Sequence, residues 1–286
     1  MLFRSGMVPK APIKKKVAVI GAGPGGVQAM MTLADRGHDV TLYEASDTVG
    51  GNVIEAAQPP FKIDCADYLK WLQYQVGKYE KAGVRVLMNT KATKEILDQE
   101  EYDALIIAIG ADPRLPDVPG ADKYPVNWAP YGESHPETVG QKVVIIGAGS
   151  VGIEAAIDLK DQGRDVTVIE MDDEAASYTR MHAAAGPSAK ELLNIAKEKE
   201  IPICYENLLA EIGDGYVLCT NTATNETVRY DCDSVLSAMG MNPRWDEADS
   251  LRHCAPETDV YIIGDAKEAG TISNAVNQAF QACLHI

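Results

Sequence analysis

The sequence is short of positive charge, of long apolar runs and of paired cysteines. It holds 26 Lys and Arg against 42 Asp and Glu, which gives a formal net charge of −16. Nucleic acids and anionic membranes bind clustered Lys and Arg, so we expect neither as a partner. No apolar run approaches the roughly 20 residues that a membrane-spanning helix needs, and residues 1–16 lack the apolar core of a signal peptide. We therefore expect a cytoplasmic protein.

The cysteines are scattered and form no chemical motif. There are six of them, with neither a C-x-x-C nor a C-x-x-x-x-C spacing, and the five histidines are isolated as well. Scatter of this kind is typical of reduced, mostly buried thiols. Cys65, on a predicted helix, is expected to pack rather than to react. The sequence therefore predicts no metal site, no iron–sulfur cluster and no redox-active thiol pair.

The most informative stretch runs from Val17 to Glu44. A short apolar run ends at the G-x-G-x-x-G pattern of Gly21, Gly23 and Gly26, a helical segment follows, and a second apolar strand ends at Glu44. This order brings together a tight turn, a close approach of backbone to a pyrophosphate, a helix N-terminus and an acid that can accept hydrogen bonds from ribose hydroxyls. It predicts a dinucleotide site, and a glycine-rich turn without a ligand is the alternative.

The same pattern returns from Val143 to Glu170. The two stretches match at 14 of 28 positions without a gap, and in both the first glycine precedes the acid by 23 residues. The loops differ, since Pro24 and Gly25 of the first copy correspond to Ser150 and Val151 of the second. This difference fits two different dinucleotides, although the loops alone do not assign them. The duplication predicts two dinucleotide-binding units.

Buried strands that end in glycine accompany each copy. Tyr102 to Gly110 and Asp233 to Gly240 have this form, and Asp259 to Asp265 is an apolar strand that ends in Gly-Asp. A final helix is expected from Ser273 to Leu284. The adjacent glycines in the loop from Gly50 to Asn52 let the backbone pass close to a ligand.

A small antiparallel sheet is predicted between Glu170 and the last strand of the second copy. Its strands are expected at Ile201 to Tyr205, Tyr216 to Cys219 and Glu226 to Tyr230, after a helix from Ser188 to Lys197. These segments suggest that the small antiparallel sheet is an insertion in the second dinucleotide-binding unit.

With these residues in view, the chain resembles the flavoprotein family of pyridine-nucleotide-dependent oxidoreductases that has two dinucleotide-binding domains. The resemblance covers almost everything from Lys16 to Ile286, and it rests on both glycine loops with their acids and on the strands that end at Gly110 and Asp265. It implies an α/β fold of two Rossmann-like domains, with the second inserted in the first. The first loop matches the family's FAD site and the second its nicotinamide-nucleotide, or NAD(P), site.

Domain limits follow from this resemblance. The FAD-binding domain is expected to be discontinuous, with residues 14–115 and 255–286, and the NAD(P)H-binding domain is expected to comprise residues 116–254. Residues 1–13 are expected to be a linker or a non-native start. The last strand and helix return to complete the first domain, whose flavin side would otherwise be open.

The resemblance also implies roles for particular residues. Asp265 is expected to hydrogen-bond the FAD ribitol, the helix start at Thr271 and Ile272 to face the pyrophosphate and the flavin ring, and the backbone around Ala92 to hold the adenine. Ile109 stands where the family usually has Thr, so no hydroxyl contact is expected there. The cofactor contacts expected in the first copy are Gly21, Gly23, Pro24, Gly25, Gly26, Glu44, Gly51, Asn52, Ala92, Gly110, Gly264, Asp265, Thr271 and Ile272. Those expected in the second copy are Gly147, Gly149, Ser150, Val151, Gly152, Glu170 and Gly240.

A closer resemblance is to the C-terminal half of the NADH:flavin oxidoreductases of the 2-enoate and 2,4-dienoyl-CoA reductase group. It rests on the run from Gly50 to Lys62 and on the short ending after Asp265. Full-length members place a barrel carrying FMN, and an iron–sulfur cysteine cluster, before this region, and this sequence has neither. The resemblance implies that NADH reduces FAD and that electrons pass to a further acceptor, expected to be such an FMN/iron–sulfur module or protein. A self-sufficient NADH oxidase or diaphorase and a nucleotide-binding scaffold without turnover are the alternatives.

Glu170 bears on the choice between NADH and NADPH. A carboxylate accepts both ribose hydroxyls of NADH and repels the extra phosphate of NADPH. Arg164 lies near it in sequence, but at a helix–strand turn where a solvated charge is expected. The sequence therefore predicts NADH, with NADPH disfavoured. Hydride transfer to a flavin needs alignment and exclusion of water rather than an acid or a base, so no catalytic side chain is expected.

Overall fold

The protein is described by a computed structural model over residues 8–253 and 258–286. Its strands are β1 (Lys16–Ile20), β2 (Asp39–Tyr43), β3 (Arg85–Leu87), β4 (Ala104–Ile107), β5 (Ala111–Pro113), β6 (Val126–Trp128), β7 (Lys142–Ile146), β8 (Asp165–Ile169), β9 (Ile203–Cys204), β10 (Asn207–Gly213), β11 (Tyr216–Asn221), β12 (Thr227–Asp231), β13 (Ser234–Ser237), β14 (Met241–Pro243) and β15 (Asp259–Ile262). Its α-helices are α1 (Pro24–Arg36), α2 (Val53–Ala56), α3 (Ile63–Lys81), α4 (Lys94–Glu100), α5 (Ala129–Ser134), α6 (Ser150–Asp161), α7 (Glu174–Ala185), α8 (Ser188–Glu198), α9 (Trp245–Arg252) and α10 (Ile272–Leu284). Residues 1–7 of the expected linker, and the expected domain limit between 254 and 255, lie outside the described residues.

The chain divides into two compact units, and the second is inserted in the first. Unit 1 comprises Met1–Asp112 and Asn242–Ile286, and unit 2 comprises Pro113–Met241. These limits differ from the expected ones chiefly where the chain returns to unit 1. The reason is that α9, expected in the second domain, buries Ala248 and Leu251 in a hydrophobic cluster of unit 1.

Unit 1 is built on a five-stranded sheet in the order β15-β4-β1-β2-β3, and all neighbouring strands are parallel. Its two central strands, β1 and β4, are runs of mostly branched apolar residues, which suits strands that are covered on both faces. The last strand, β15, pairs with β4, and α10 packs against α1. The C-terminal segment therefore completes the sheet of unit 1.

Unit 2 repeats this sheet in the order β6-β13-β7-β8-β9, again with parallel neighbours. A separate antiparallel sheet, β10-β11-β12, is formed by the chain between β9 and β13. The prediction that Ile201 to Tyr205 belongs to this antiparallel sheet is wrong. Ile203 pairs in parallel with Val168 of β8, so β9 is the edge of the main sheet. The missing antiparallel strand is β10, which the sequence analysis did not find.

None of the helices within residues 8–253 and 258–286 is both long and apolar enough to cross a membrane.

Candidate nucleotide-binding sites

The first glycine loop joins β1 to α1, and two of its glycines are required by close backbone contacts. A β-carbon on Gly26 would lie 1.8 Å from the carbonyl oxygen of Gly21, and one on Gly21 would lie 2.4 Å from the carbonyl oxygen of Ala108. Gly21 also has a φ of +99°, a value that L-residues with side chains rarely adopt. These two glycines therefore serve the fold, by letting strand and helix approach each other.

The middle glycine of the motif is in a different position. No atom lies within 4 Å of a β-carbon placed on Gly23, so the folded chain itself would accept a side chain there. Gly23 is the N-cap of α1, and Pro24 occupies the first turn. The unpaired N–H groups of a helix start, together with the partial positive charge of its dipole, favour an anion. Gly23 therefore combines open space with a helix start that favours an anion.

Glu44 holds this loop from the end of β2. Its Oε2 accepts a hydrogen bond from the backbone N–H of Ala22 at 2.8 Å, and its Oε1 accepts from the N–H and the hydroxyl of Ser46, each at 2.8 Å. A carboxylate can accept about four hydrogen bonds. One acceptor direction of Oε2 is thus left for a ribose hydroxyl.

The loop from Gly50 to Asn52 lies against the first glycine loop. The N–H of Gly50 donates to the carbonyl of Ala22 at 3.0 Å, and a β-carbon on Gly51 would lie 3.3 Å from the α-carbon of Gly23. The side-chain amide of Asn52 donates to the carbonyl of Ala111 at 3.3 Å. The structure thus places Gly51 beside Gly23, and the predicted close approach of Gly51 to a ligand stays a prediction.

The other expected residues of unit 1 follow the carboxyl ends of β3, β4 and β15. Gly110, after β4, has a φ of +76° and no atom within 4 Å of a built β-carbon, so the space beside it is open as well. Asp265 accepts a hydrogen bond from the N–H of Gly270 at 3.0 Å, and burial raises the pKa of its carboxyl. Thr271 is the N-cap of α10. Because parallel strands end at the same edge of a sheet, these residues lie at the edge that also holds the first glycine loop.

Three further expected residues lie in unit 1. Ala92 is buried in the segment between β3 and α4, and the neighbouring N–H of Thr90 donates to the carbonyl of Glu44 at 2.8 Å. Gly264 has a φ of +61°, and its N–H donates to the side-chain oxygen of Gln278 on α10. Ile272, in the first turn of α10, is 40% exposed. Sequence reasoning did not single out Gln278, because nothing local to it marks a loop anchor.

The second glycine loop, in unit 2, has the same construction. A β-carbon on Gly152 would lie 2.0 Å from the carbonyl oxygen of Gly147, and Gly147 has a φ of +107°. Gly149 has no atom within 4 Å of a built β-carbon, as at Gly23. Ser150 and Val151 open α6, and Val151 is 37% exposed. The equivalent of the open glycine at position 110 is Gly240, after β13, with a φ of +91°.

Glu170 braces the second loop as Glu44 braces the first, but it has an additional partner. Its Oε2 accepts a hydrogen bond from the N–H of Ala148 at 2.9 Å and forms an ion pair with Nη2 of Arg180 at 2.8 Å, and its Oε1 accepts from the N–H of Asp172 at 3.1 Å. Arg180 was missed by sequence reasoning, because it lies on α7, a helix with a weak apolar pattern that the sequence analysis did not predict.

Arg164, the basic residue considered from the sequence, lies elsewhere. It immediately precedes β8 and donates to the backbone carbonyls of Pro136, Val139 and Gly140. It therefore anchors the segment before β7 at the opposite end of the strand from Glu170.

The described cysteines are free thiols in both units. Burial raises the pKa of Cys219 to about 12 and that of Cys232 to about 11, so neither is a thiolate near neutral pH. Burial also raises the pKa of Cys283 to about 12. Buried thiols of this kind pack as small apolar groups and are poor nucleophiles.

Comparison with known proteins identifies the class. The chain belongs to the pyridine nucleotide-disulphide oxidoreductase family, whose model matches residues 15–279. It is 32% identical over 278 residues to cinnamate reductase of Clostridium sporogenes, covering 97% of this chain and 40% of that protein. It is 30% identical over 287 residues to NADH oxidase of Thermoanaerobacter brockii, covering 98% of this chain and 42% of that protein. The solved structure of 2-naphthoyl-CoA reductase superposes with a TM-score of 0.85 at 28% identity, covering 99% of this chain and 41% of that chain.

These findings confirm the class predicted from the sequence. The protein is an FAD-dependent NAD(P)H oxidoreductase with two Rossmann-like domains, similar to the C-terminal half of enoate reductase-like proteins. The chain spans about two fifths of the length of these relatives. The activities, substrates and partners of the relatives belong to proteins that contain more than the part matched by this chain.

Proposed function

We propose that unit 1 binds FAD, that unit 2 binds NADH, and that electrons pass from the reduced flavin to a further acceptor. The observation that carries this proposal is the duplicated loop: each copy has two glycines enforced by backbone contact, one open glycine and one bracing acid. An open glycine at a helix N-terminus is suited to a pyrophosphate.

The proposed contacts of FAD are the residues gathered at one sheet edge of unit 1. The glycine loop from Gly21 to Gly26 would receive the pyrophosphate, Glu44 the adenosine ribose, and the backbone near Ala92 the adenine. Gly51, Asn52, Gly110, Gly264, Asp265, Thr271 and Ile272 would line the remaining length of the cofactor. In unit 2, the loop from Gly147 to Gly152 with Glu170 and Gly240 would receive NADH.

FAD, when bound, supplies an acceptor for the hydride of the nicotinamide and returns electrons singly or in pairs. The contribution of the chain is to bind and align, because neither partner needs a proton from a side chain for the hydride step. We assign no catalytic acid or base. The described cysteines are free thiols, and the sequence has neither a C-x-x-C nor a C-x-x-x-x-C spacing, so disulfide reduction is not part of the proposal.

We further propose that the acceptor is an FMN/iron–sulfur module, on a separate protein or on a longer form of the chain. The support is a difference in length, since relatives such as cinnamate reductase are about two and a half times as long as this chain. Free thiols support a cytoplasmic location. The relation to NADH oxidase favours one alternative, in which reduced FAD passes electrons directly to oxygen or a quinone.

One absorbance experiment tests the proposal. The purified chain is expected to be yellow, to bleach when NADH is added without oxygen, and to recover its colour with an artificial electron acceptor. Enoates and dienoyl thioesters are expected to leave the reduced flavin unchanged. Rapid recovery with oxygen alone would favour the oxidase, and a yellow protein that NADH does not bleach would be a scaffold. Reduction of an enoate by the isolated chain would show a substrate site that the proposal lacks.

A further inference from the structure

The two bracing acids differ in the partners of their carboxylate oxygens, most clearly at Oε2. Among the residues that the structure describes, Oε2 of Glu44 accepts from Ala22 alone, whereas Oε2 of Glu170 accepts from Ala148 and also forms an ion pair with Arg180. Oε1 differs as well, since it accepts from the N–H and the hydroxyl of Ser46 in the first copy and from the N–H of Asp172 in the second. In unit 2, a guanidinium nitrogen thus lies 2.8 Å from the oxygen that corresponds to the one unit 1 leaves open for a ribose hydroxyl.

Arg180 reaches this position from the surface. The Glu170 side chain is 3% exposed, but the Arg180 side chain is 49% exposed, and its other terminal nitrogen pairs with Asp172. A buried carboxylate has few alternative orientations, while a half-exposed arginine keeps several. Of the two partners, Arg180 is therefore the one that can move when a ligand enters.

The local charge without Arg180 is strongly negative. Glu170 and the acids at 172, 173 and 174 place four carboxylates within five positions of the chain. A phosphate group brought to this point meets repulsion that rises with each of them. A guanidinium that already contacts two of these carboxylates offsets part of the repulsion, and it can bind phosphate through two parallel hydrogen bonds.

We propose that Arg180 sets how strongly this chain discriminates against the 2′-phosphate of NADPH. It pairs with Glu170 when that phosphate is absent and with the phosphate when it is present. The ribose 2′-oxygen and Arg180 would both contact the Glu170 carboxylate. A phosphate on that 2′-oxygen would therefore lie within reach of the arginine side chain. The inference rests on the proposed function, namely that Glu170 receives the ribose of a nicotinamide dinucleotide.

The inference predicts that NADPH is used weakly rather than excluded, and that Arg180 carries this residual use. Binding of 2′,5′-ADP and of 5′-ADP is measured by calorimetry on the FAD-loaded chain and on Arg180→Leu. The variant is expected to lose about tenfold in affinity for 2′,5′-ADP, as for a charge-assisted pair at a half-exposed site, and about twofold or less for 5′-ADP. The ratio of kcat/KM for NADPH to that for NADH is expected to fall by a similar factor.

Two further variants separate a specific role from a general one. Arg180→Lys keeps the charge without the paired donors and is expected to fall between wild type and Arg180→Leu. Lys190→Gln removes a charge from an exposed position on α8 and is expected to change neither affinity. Equal losses for both ligands in Arg180→Leu, or a gain for 2′,5′-ADP, would overturn the inference. If wild type binds neither ligand and NADH does not reduce its FAD, the proposed function itself fails and the inference falls with it.

Discussion

The backbone N–H of Ala22 donates to Oε2 of Glu44 at 2.8 Å. The acid proposed to receive the ribose of FAD therefore also holds the glycine loop proposed to receive its pyrophosphate. Loss of the carboxylate would affect both parts of the cofactor at once, which an acid that only touched the ribose would not do.

Glu44→Ala is accordingly expected to weaken FAD binding by about 2 kcal/mol, or roughly thirtyfold in Kd. Glu44→Gln keeps one side-chain oxygen as an acceptor and is expected to lose less. The measurement is a titration of apoprotein with FAD, followed by flavin fluorescence. Equal affinities for wild type and Glu44→Ala would remove Glu44 from the site.

Substitution by alanine is expected to have different effects at Gly26, which is required by a backbone contact, and at Gly23, which has open space beside it. Gly26→Ala places a methyl group against the carbonyl of Gly21, so the free energy of unfolding is expected to fall by about 3 kcal/mol. Gly23→Ala meets no protein atom and is expected to leave unfolding nearly unchanged while lowering the FAD content of the purified protein. Thermal unfolding of the apoprotein and the ratio of flavin to protein absorbance measure the two effects.

Gly149→Ala is the matched variant for the second loop. It is expected to keep the FAD content of wild type and to raise KM for NADH, because Gly149 is the open glycine of unit 2. A Gly23→Ala protein that retains full FAD would contradict the assignment of unit 1 to that cofactor.

Removal of the acid in unit 2 is expected to change cofactor preference. Glu170→Ala should raise KM for NADH by about tenfold and narrow the gap to NADPH, since the ribose acceptor and the repulsive charge are lost together. Steady-state rates with each nucleotide and a common artificial acceptor test this. A wild-type protein that prefers NADPH would show that the interpretation of Glu170 is wrong.

His38 is expected to make stability depend on pH. It is 7% exposed and its Nδ1 accepts a hydrogen bond from the N–H of Lys15. Burial, followed by the nearby charges of Arg36 and Lys15, lowers its pKa from the ordinary value of 6.5. The unfolded chain therefore takes up the proton first, so this contribution is complete above pH 6.5 and is lost as the pH falls below it.

The His38→Asn variant tests this, because the asparagine oxygen can accept the same hydrogen bond without titrating. Urea unfolding between pH 5 and 8 is expected to show a smaller loss of stability at the acidic end than wild type shows. His285→Asn, at an exposed position, is expected to follow wild type. Parallel curves for wild type and His38→Asn would contradict the prediction.

Much of the fold could be predicted from the sequence because its signals are local and repeated. A buried strand, a glycine loop, a helix and an acid at a fixed distance require one another physically, and the second copy supplies an internal check. The residues that enforce the loops, such as Gly26 and Gly152, are recognisable for this reason. The predicted class rests on the same local signals.

The features that were missed depend on contacts between distant residues. Strand β9 has only two residues, and its place beside β8 is decided by pairing rather than by its own sequence. Arg180 contacts Glu170 only because α7, with a weak apolar pattern, turns it back toward β8. Spacing in the sequence therefore identified the acid but not its partner.

The position of β15 affects the order in which the two units fold during synthesis. Its partner β4 is synthesised before all of unit 2, so that edge of the sheet stays unpaired while some 150 further residues are made. Unit 2 is continuous and holds all its own strands by the time residue 241 has emerged. We therefore expect unit 2 to become resistant to protease during translation before unit 1 does, because the sheet of unit 1 lacks β15 until that strand has been made.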